Sequence, residues 1–279
     1  MLTELDEAEA RGEIADIFAE IRHLYATPYV SSIHRHLATR PGVLEWAWEG
    51  VAPVFRSGKA QETAWKLAAE ISLAPMPEIP AEALAVWGVA RDDIPKISSL
   101  AESFTRVAPL NLVFGGIVRD VMLPGRQTRR EGNAASASWA PPPALPPPPP
   151  FADSRTMPDA LHRLLERFRS GTGTTAFVPG LYRMLARWPG LLAHLSVELG
   201  PRFASLEKTN AASALLSRMN DAVESLRPEL GPVLRPAPGP DESAHLQRMI
   251  DGYRVTSPEM ILFGRLIREA LPRHQSRGK

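Results

Sequence analysis

Apolar residues recur along the chain at helical spacing. Ile14, Ile17, Phe18, Ile21, Leu24 and Tyr25 follow the i, i+3, i+4, i+7 rule, and Leu161, Leu164, Leu165 and Phe168 follow it again further on. Strand-like alternation is almost absent. Thr27-Pro28, Arg40-Pro41, Trp188-Pro189 and Ser257-Pro258 read as helix starts, because the N–H that proline lacks has no intrahelical partner in a first turn. Phe177-Val178-Pro179 reads as another. The pattern predicts an all-α protein.

The pattern is also written twice. LATRPGVLEWAWEGVAPVF (37–55) matches LARWPGLLAHLSVELGPRF (185–203) without a gap, and FTRVAPLNLVFGGIVRDVM (104–122) matches YRVTSPEMILFGRLIREAL (253–271). The offsets are 148 and 149. In the second pair Pro109 falls on Pro258, Phe114 on Phe263, Gly115 on Gly264 and Arg119 on Arg268. Blocks matched in one order at one spacing imply two homologous helical repeats forming an intramolecular pseudo-dimer, with a cleft between them. The repeats take residues 1–124 and 153–279. Between them, 125–152 is a proline-rich linker containing PPPALPPPPP at 141–150, an extended segment that joins neither helix nor sheet. Its place favours a stiff tether, although its PxxP spacings also fit an SH3-like docking ligand.

Composition narrows the class. Apolar residues make up 44% and charged ones 23%, ordinary for a soluble globular chain, and the net charge of +1 provides no field for nucleic acid or an anionic membrane. Cysteine is absent, which excludes disulfides, thiolate metal sites and a cysteine nucleophile. No apolar run approaches the ~20 residues of a membrane span. The acidic opening MLTELDEAEARGEIADIF lacks the basic-then-apolar order of a signal peptide, so a cytoplasmic protein is expected.

Candidate chemistry is sparse. Gly171-Thr172-Gly173-Thr174-Thr175 could hold an anion with its backbone N–H groups, but it is neither GxxxxGK[ST] nor GxGxxG and no strand precedes it, so a helix connection is the plainer reading. His34 and His36 are two apart and point to different helix faces; zinc needs three or four convergent ligands, and HExxH is absent. One of the two could still face the cleft as a base or donor. G-x-S-x-G is absent too. Glu45, Glu49 and Glu62 read as solvated, and Trp46, Trp48, Trp65, Trp87 and Trp188 as packing residues. No cofactor or metal is expected.

GEIADIFAEIRHLYATPYV, LATRPGVLEWAW and FTRVAPLNLVF in the first half, with LYRMLARWPGLL and GYRVTSPEMI in the second, resemble the group I (DehI-type) helical 2-haloacid dehalogenases. The resemblance covers most of the chain outside the proline-rich segment. It implies an all-α pseudo-dimer that displaces halide from a 2-halocarboxylic acid with water, without a covalent ester intermediate. It also implies an aspartate that activates the water and an asparagine that helps to position it. Those places are taken here by Leu181, in GLYRMLARWPG, and Ala108, in RVAPLN, whereas Tyr29 and Tyr253 match the family's aromatics in kind. No Asp or Glu lies between Phe177 and Trp188.

Leucine takes no proton, and losing a positioned general base commonly costs ~10²–10⁴-fold. The leading expectation therefore keeps the cleft and changes the nucleophile. A small carboxylate or amino-acid-like substrate would lose halide or sulfate to attack by its own amine, closing a ring, with Leu181 helping to exclude water. By resemblance, His36, Tyr253 and Asn111 are the catalytic candidates, and Tyr29, Ser32, Arg106, Ala108, Leu181 and Tyr182 the substrate-binding ones. Arg106 or the 171–175 loop would hold the anion. A second expectation is hydrolytic dehalogenation with a relocated base, such as His36. A third is a non-catalytic binding protein, or the structural partner in a homodimer or with a companion subunit.

Overall fold

A computed structural model describes residues 3–125, 139–152, 156–170 and 177–272; the 171–175 loop lies outside them. Eleven α-helices stand among the described residues: α1 (Gly12–Leu24), α2 (Ser32–Leu37), α3 (Val43–Arg56), α4 (Lys59–Ala69), α5 (Ala81–Val86), α6 (Ile94–Ile117), α7 (Asp159–Glu166), α8 (Gly180–Leu185), α9 (Pro189–Phe203), α10 (Leu206–Leu226) and α11 (Pro240–Ala270). No strand occurs among them beyond one isolated bridge between Ser170 and Phe177. None of these helices is long and apolar enough to cross a membrane.

Local chemistry explains most boundaries. α1 buries Ile17, Phe18, Ile21 and Leu24, the stripe its spacing predicts. Pro189 opens α9 and Pro179 caps α8, as expected. Pro41 lies two residues ahead of α3, whose entry turns on Gly42 at φ 75°, a conformation that glycine adopts without strain. Thr27-Pro28 begins no helix; α2 starts at Ser32. Ser257-Pro258 departs furthest from its reading. It lies in the middle of α11, a 31-residue helix that runs through the proline. The hydroxyls of Thr256 and Ser257 turn back onto the Tyr253 carbonyl at 3.2 and 2.8 Å, and the whole segment is buried, so packing outweighs the local cost of proline.

Element order follows the sequence repeat. α2 and α8 are each six residues long and begin 148 residues apart, and α3–α4 and α9–α10 follow them in the same order. α6 and α11 each carry an internal proline, Pro109 and Pro258, and form the most extensive helix pair in the molecule. They come close at two glycines. A Cβ on Gly115 would come within 3.1 Å of Ile250 Cγ2, and one on Gly264 within 3.1 Å of the Ala101 carbonyl. Gly115 and Gly264 are repeat equivalents, and so are Ala101 and Ile250. Such reciprocity is what a pseudo-twofold relation between the copies predicts.

The proline-rich segment lies against the body. Arg106 Nη1 donates to the Pro143 carbonyl at 2.9 Å and to the Ala26 carbonyl at 3.1 Å, and Leu145 N–H reaches the same Ala26 carbonyl at 3.4 Å. Ala26 is a non-glycine residue at φ 50°, a left-handed conformation costing about 1–2 kcal/mol, and its carbonyl receives both contacts. Trp139 sits where a Cβ on Gly58 would be, beside the ring of Trp65.

Candidate functional site

A cavity of about 280 Å³ is lined by α6, α11 and the entries to α2 and α8. Phe104, Val107, Ala108 and Asn111 of α6 line one side, and Tyr253, Thr256, Ser257 and Met260 of α11 the other. Each set is spaced i, i+3, i+4, i+7, one face of a helix. Position by position the two sets lie 149 residues apart. Tyr29, Ser31 and Ser32 at the entry to α2 likewise oppose Phe177, Pro179 and Gly180 at the entry to α8, 148 residues on. Equivalent faces have therefore diverged in chemistry. Asn111 corresponds to Met260, and Ser31 and Ser32 to Pro179 and Gly180.

Among the described residues two charged side chains line the cavity. Glu7 is fully engaged: Oε1 accepts the Val30 N–H at 2.8 Å, and Oε2 accepts Arg22 Nη1 at 2.8 Å. Arg35 donates through Nε to the Leu5 carbonyl at 2.8 Å, and its Nη1 lies 3.4 Å from Glu4. Its guanidinium is the positive charge on the cavity wall.

Phenols supply donors. The Tyr253 hydroxyl is buried without a partner among the described residues, and burial pushes its pKa far above the ordinary tyrosine value. Burial raises the Tyr29 phenol to about 12, against smaller opposing effects of the Ser103 and Thr27 hydroxyls. Both keep their protons at neutral pH. Asn111 is held from behind, where its Oδ1 accepts from Ser31 Oγ at 2.9 Å. Ser31 Oγ lies 2.9 Å from His34 Nδ1, and His34 Nε2 lies 3.3 Å from the Tyr25 hydroxyl. His34 is fully buried, and burial depresses its pKa to about 3.

Pro148, Pro149, Pro150 and Phe151 form a further wall, apolar and without an amide donor among its prolines. The Arg183 guanidinium lies 4.2 Å from the Phe151 ring centre, a cation–π contact. The segment expected to be a tether is thus part of the cavity wall.

Of the candidates read from the sequence, Tyr29, Ser32, Ala108, Asn111 and Tyr253 come together here, and four lie elsewhere. His36 is buried against His245 at 6.1 Å between ring centres; burial, then His245 and Arg40, lower its pKa. Arg106 is spent on Glu102, Ala26 and Pro143. Leu181 and Tyr182 are fully buried, with Tyr182 stacked on Phe168 at 4.3 Å; on α8 the cavity-facing positions are Gly180 and Met184. Ser31, Arg35, Phe104, Ser257 and Phe151 line the site without having been singled out. Helical spacing read outward, seven residues back from Asn111 and four on from Tyr253, names Phe104 and Ser257. Nothing in the sequence marks Phe151. No group of three or more His, Asp or Glu able to hold a metal occurs among the described residues.

No family model and no curated protein matches the chain. Solved structures do. A D-2-haloacid dehalogenase mutant in complex with D-2-CPA superposes with a TM-score of 0.77 at 18% identity, over 97% of this chain and 96% of the other. D-2-haloacid dehalogenase with L-LA gives 0.75 at 17% identity, over 97% and 96%. A further D-2-haloacid dehalogenase mutant gives 0.72 at 17%, over 96% and 94%. The chain shares their fold over nearly its whole length.

Proposed function

We propose that the cavity binds a small 2-substituted carboxylate and displaces its leaving anion, with the nucleophile supplied by the substrate. The observation that carries this reading is the state of Glu7. It is the one carboxylate among the described lining residues, and both of its oxygens are occupied by Arg22 and the Val30 amide. The position where the resembling family has its water-activating aspartate is Leu181, buried outside the cavity. Among the described lining residues a water molecule would find donors but no carboxylate without partners of its own. Arg35, Tyr253 and Asn111 suit the substrate carboxylate, and the shared fold with D-2-haloacid dehalogenases supports that substrate class.

A substrate amine, having shed its proton to solvent, attacks C2 with its lone pair. The C2–halogen bond breaks with its electron pair, giving halide and a zwitterionic cyclic amino acid. Holding amine and carbon in line can lower the barrier by about 7–11 kcal/mol, so no protein base is required.

The test compares 5-amino-2-chloropentanoate with 2-chloropropionate in ¹⁸O-enriched water, with protein in excess and chloride followed by ion chromatography. Chloride above the buffer background from the amine-bearing acid alone, with no ¹⁸O in the cyclic product, is expected. Chloride from 2-chloropropionate with ¹⁸O in the product would establish hydrolysis and overturn the reading. Release from neither acid would overturn catalysis of this kind.

A further inference from the structure

Behind the cavity wall, four side chains form a line from the core to the ligand space: Tyr25, His34, Ser31 and Asn111. Tyr25 and His34 are fully buried and Ser31 is 8% exposed. Ser31 occupies the position before α2 where a serine hydroxyl ordinarily accepts a backbone N–H, yet it makes no such cap bond. Its hydroxyl is given instead to His34 and Asn111.

The protons of this line can be counted. A phenol carries one, a neutral imidazole one, a hydroxyl one, and a primary amide two on one side only. Two directions are therefore open. In one, each group donates outward: Tyr25 to His34 Nε2, His34 Nδ1–H to Ser31, and Ser31 to Asn111 Oδ1. In the other, each donates inward, and the Asn111 amide is turned over. The inward direction leaves the Tyr25 hydroxyl proton without an acceptor among the described residues, because His34 is the one hydrogen-bond partner they give this fully buried phenol. An orphaned buried donor is the costlier arrangement.

We infer that the line runs one way, outward, so that Asn111 presents its NH₂ group and not its carbonyl to the cavity, which makes this wall a subsite for the carboxylate of a ligand. His34, Ser31 and Tyr25 are then positioning residues that act through Asn111. Burial agrees with this, since an imidazole held at about 3 carries the single proton that the line requires. Only the identity of the ligand rests on the function proposed above; the direction of the line does not.

Two measurements separate them. Long-range ¹H–¹⁵N correlation on the unliganded protein gives the His34 tautomer without any substrate. The Nδ1-protonated form is expected, the minor form of free imidazole; protonation at Nε2 would overturn the inferred direction. The second measurement titrates the protein with propionate and with the uncharged isostere propionamide, following the Asn111 side-chain NH₂ signals. In Ser31→Ala the preference for propionate over propionamide should fall by about tenfold, the worth of one hydrogen bond to a charge, and Ser31→Thr should restore it. General damage would weaken both ligands alike. An unchanged preference in Ser31→Ala, or no propionate binding to the wild-type protein, would overturn the subsite.

Discussion

His34 makes one residue's burial visible to the whole protein's stability. In the unfolded chain its imidazole takes a proton below about pH 6.5, whereas the folded side chain refuses one until about pH 3. Between those values the unfolded state binds more protons, so stability falls as pH falls, by about 1.4 kcal/mol per pH unit for this group. Urea denaturation at pH 7.5, 6 and 5 should show that slope, and His34→Gln should flatten it. At this scale the sequence was legible in part. Tyr29, Ser32, Ala108, Asn111 and Tyr253, candidates from the sequence, line one cavity. Leu181 and Tyr182 lie as close in number, yet they face the core, because on the six-residue α8 a step of one residue rotates a side chain by about 100°. Sequence order sets position along a helix; only packing sets which face looks inward.

At the scale of elements, α6 and α11 approach closely enough for glycine to matter. The Cβ of Gly264→Ala would press on the Ala101 carbonyl, a backbone atom that cannot swing aside, and on Thr105 Cγ2 at 2.9 Å. The Cβ of Gly115→Ala would meet side-chain methyls alone, Ile250 Cγ2 at 3.1 Å and Ile33 Cδ1 at 3.6 Å. Alanine gains about 1 kcal/mol of helix propensity in either place, against an overpacking cost of about 1–3 kcal/mol. Gly264→Ala should therefore lose up to about 2 kcal/mol in urea denaturation, and Gly115→Ala should stay near the wild type. Both glycines were legible as matched positions of the repeat. The course of α11 was not, since a Ser-Pro pair carries the same local signal at a helix start and in the middle of a buried helix.

For the whole molecule, the proline-rich segment changes role between sequence and structure. Composition identified an extended strand of chain; it had no means of showing that Arg106, Trp139 and Phe151 fasten it over the cavity. Only Ala144 and Leu145 carry an amide hydrogen between residues 141 and 150, so Leu145 reports on the segment by itself. Arg106→Met should speed hydrogen exchange at Leu145 roughly tenfold through loss of the Pro143 and Ala26 contacts, while exchange in α6 and α11 stays unchanged. An unaltered Leu145 rate would mean that the segment holds its place without Arg106.

The paired faces of α6 and α11 also bear on stereochemistry. Had the two copies stayed alike, a small ligand could lie in the cavity in either of two equivalent orientations, and the site would read its handedness poorly. Phe104 now corresponds to Tyr253, and Asn111 to Met260. With prolines closing a third side, an asymmetric carbon meets three different walls. One mirror image can satisfy all three, and its twin must give up at least one.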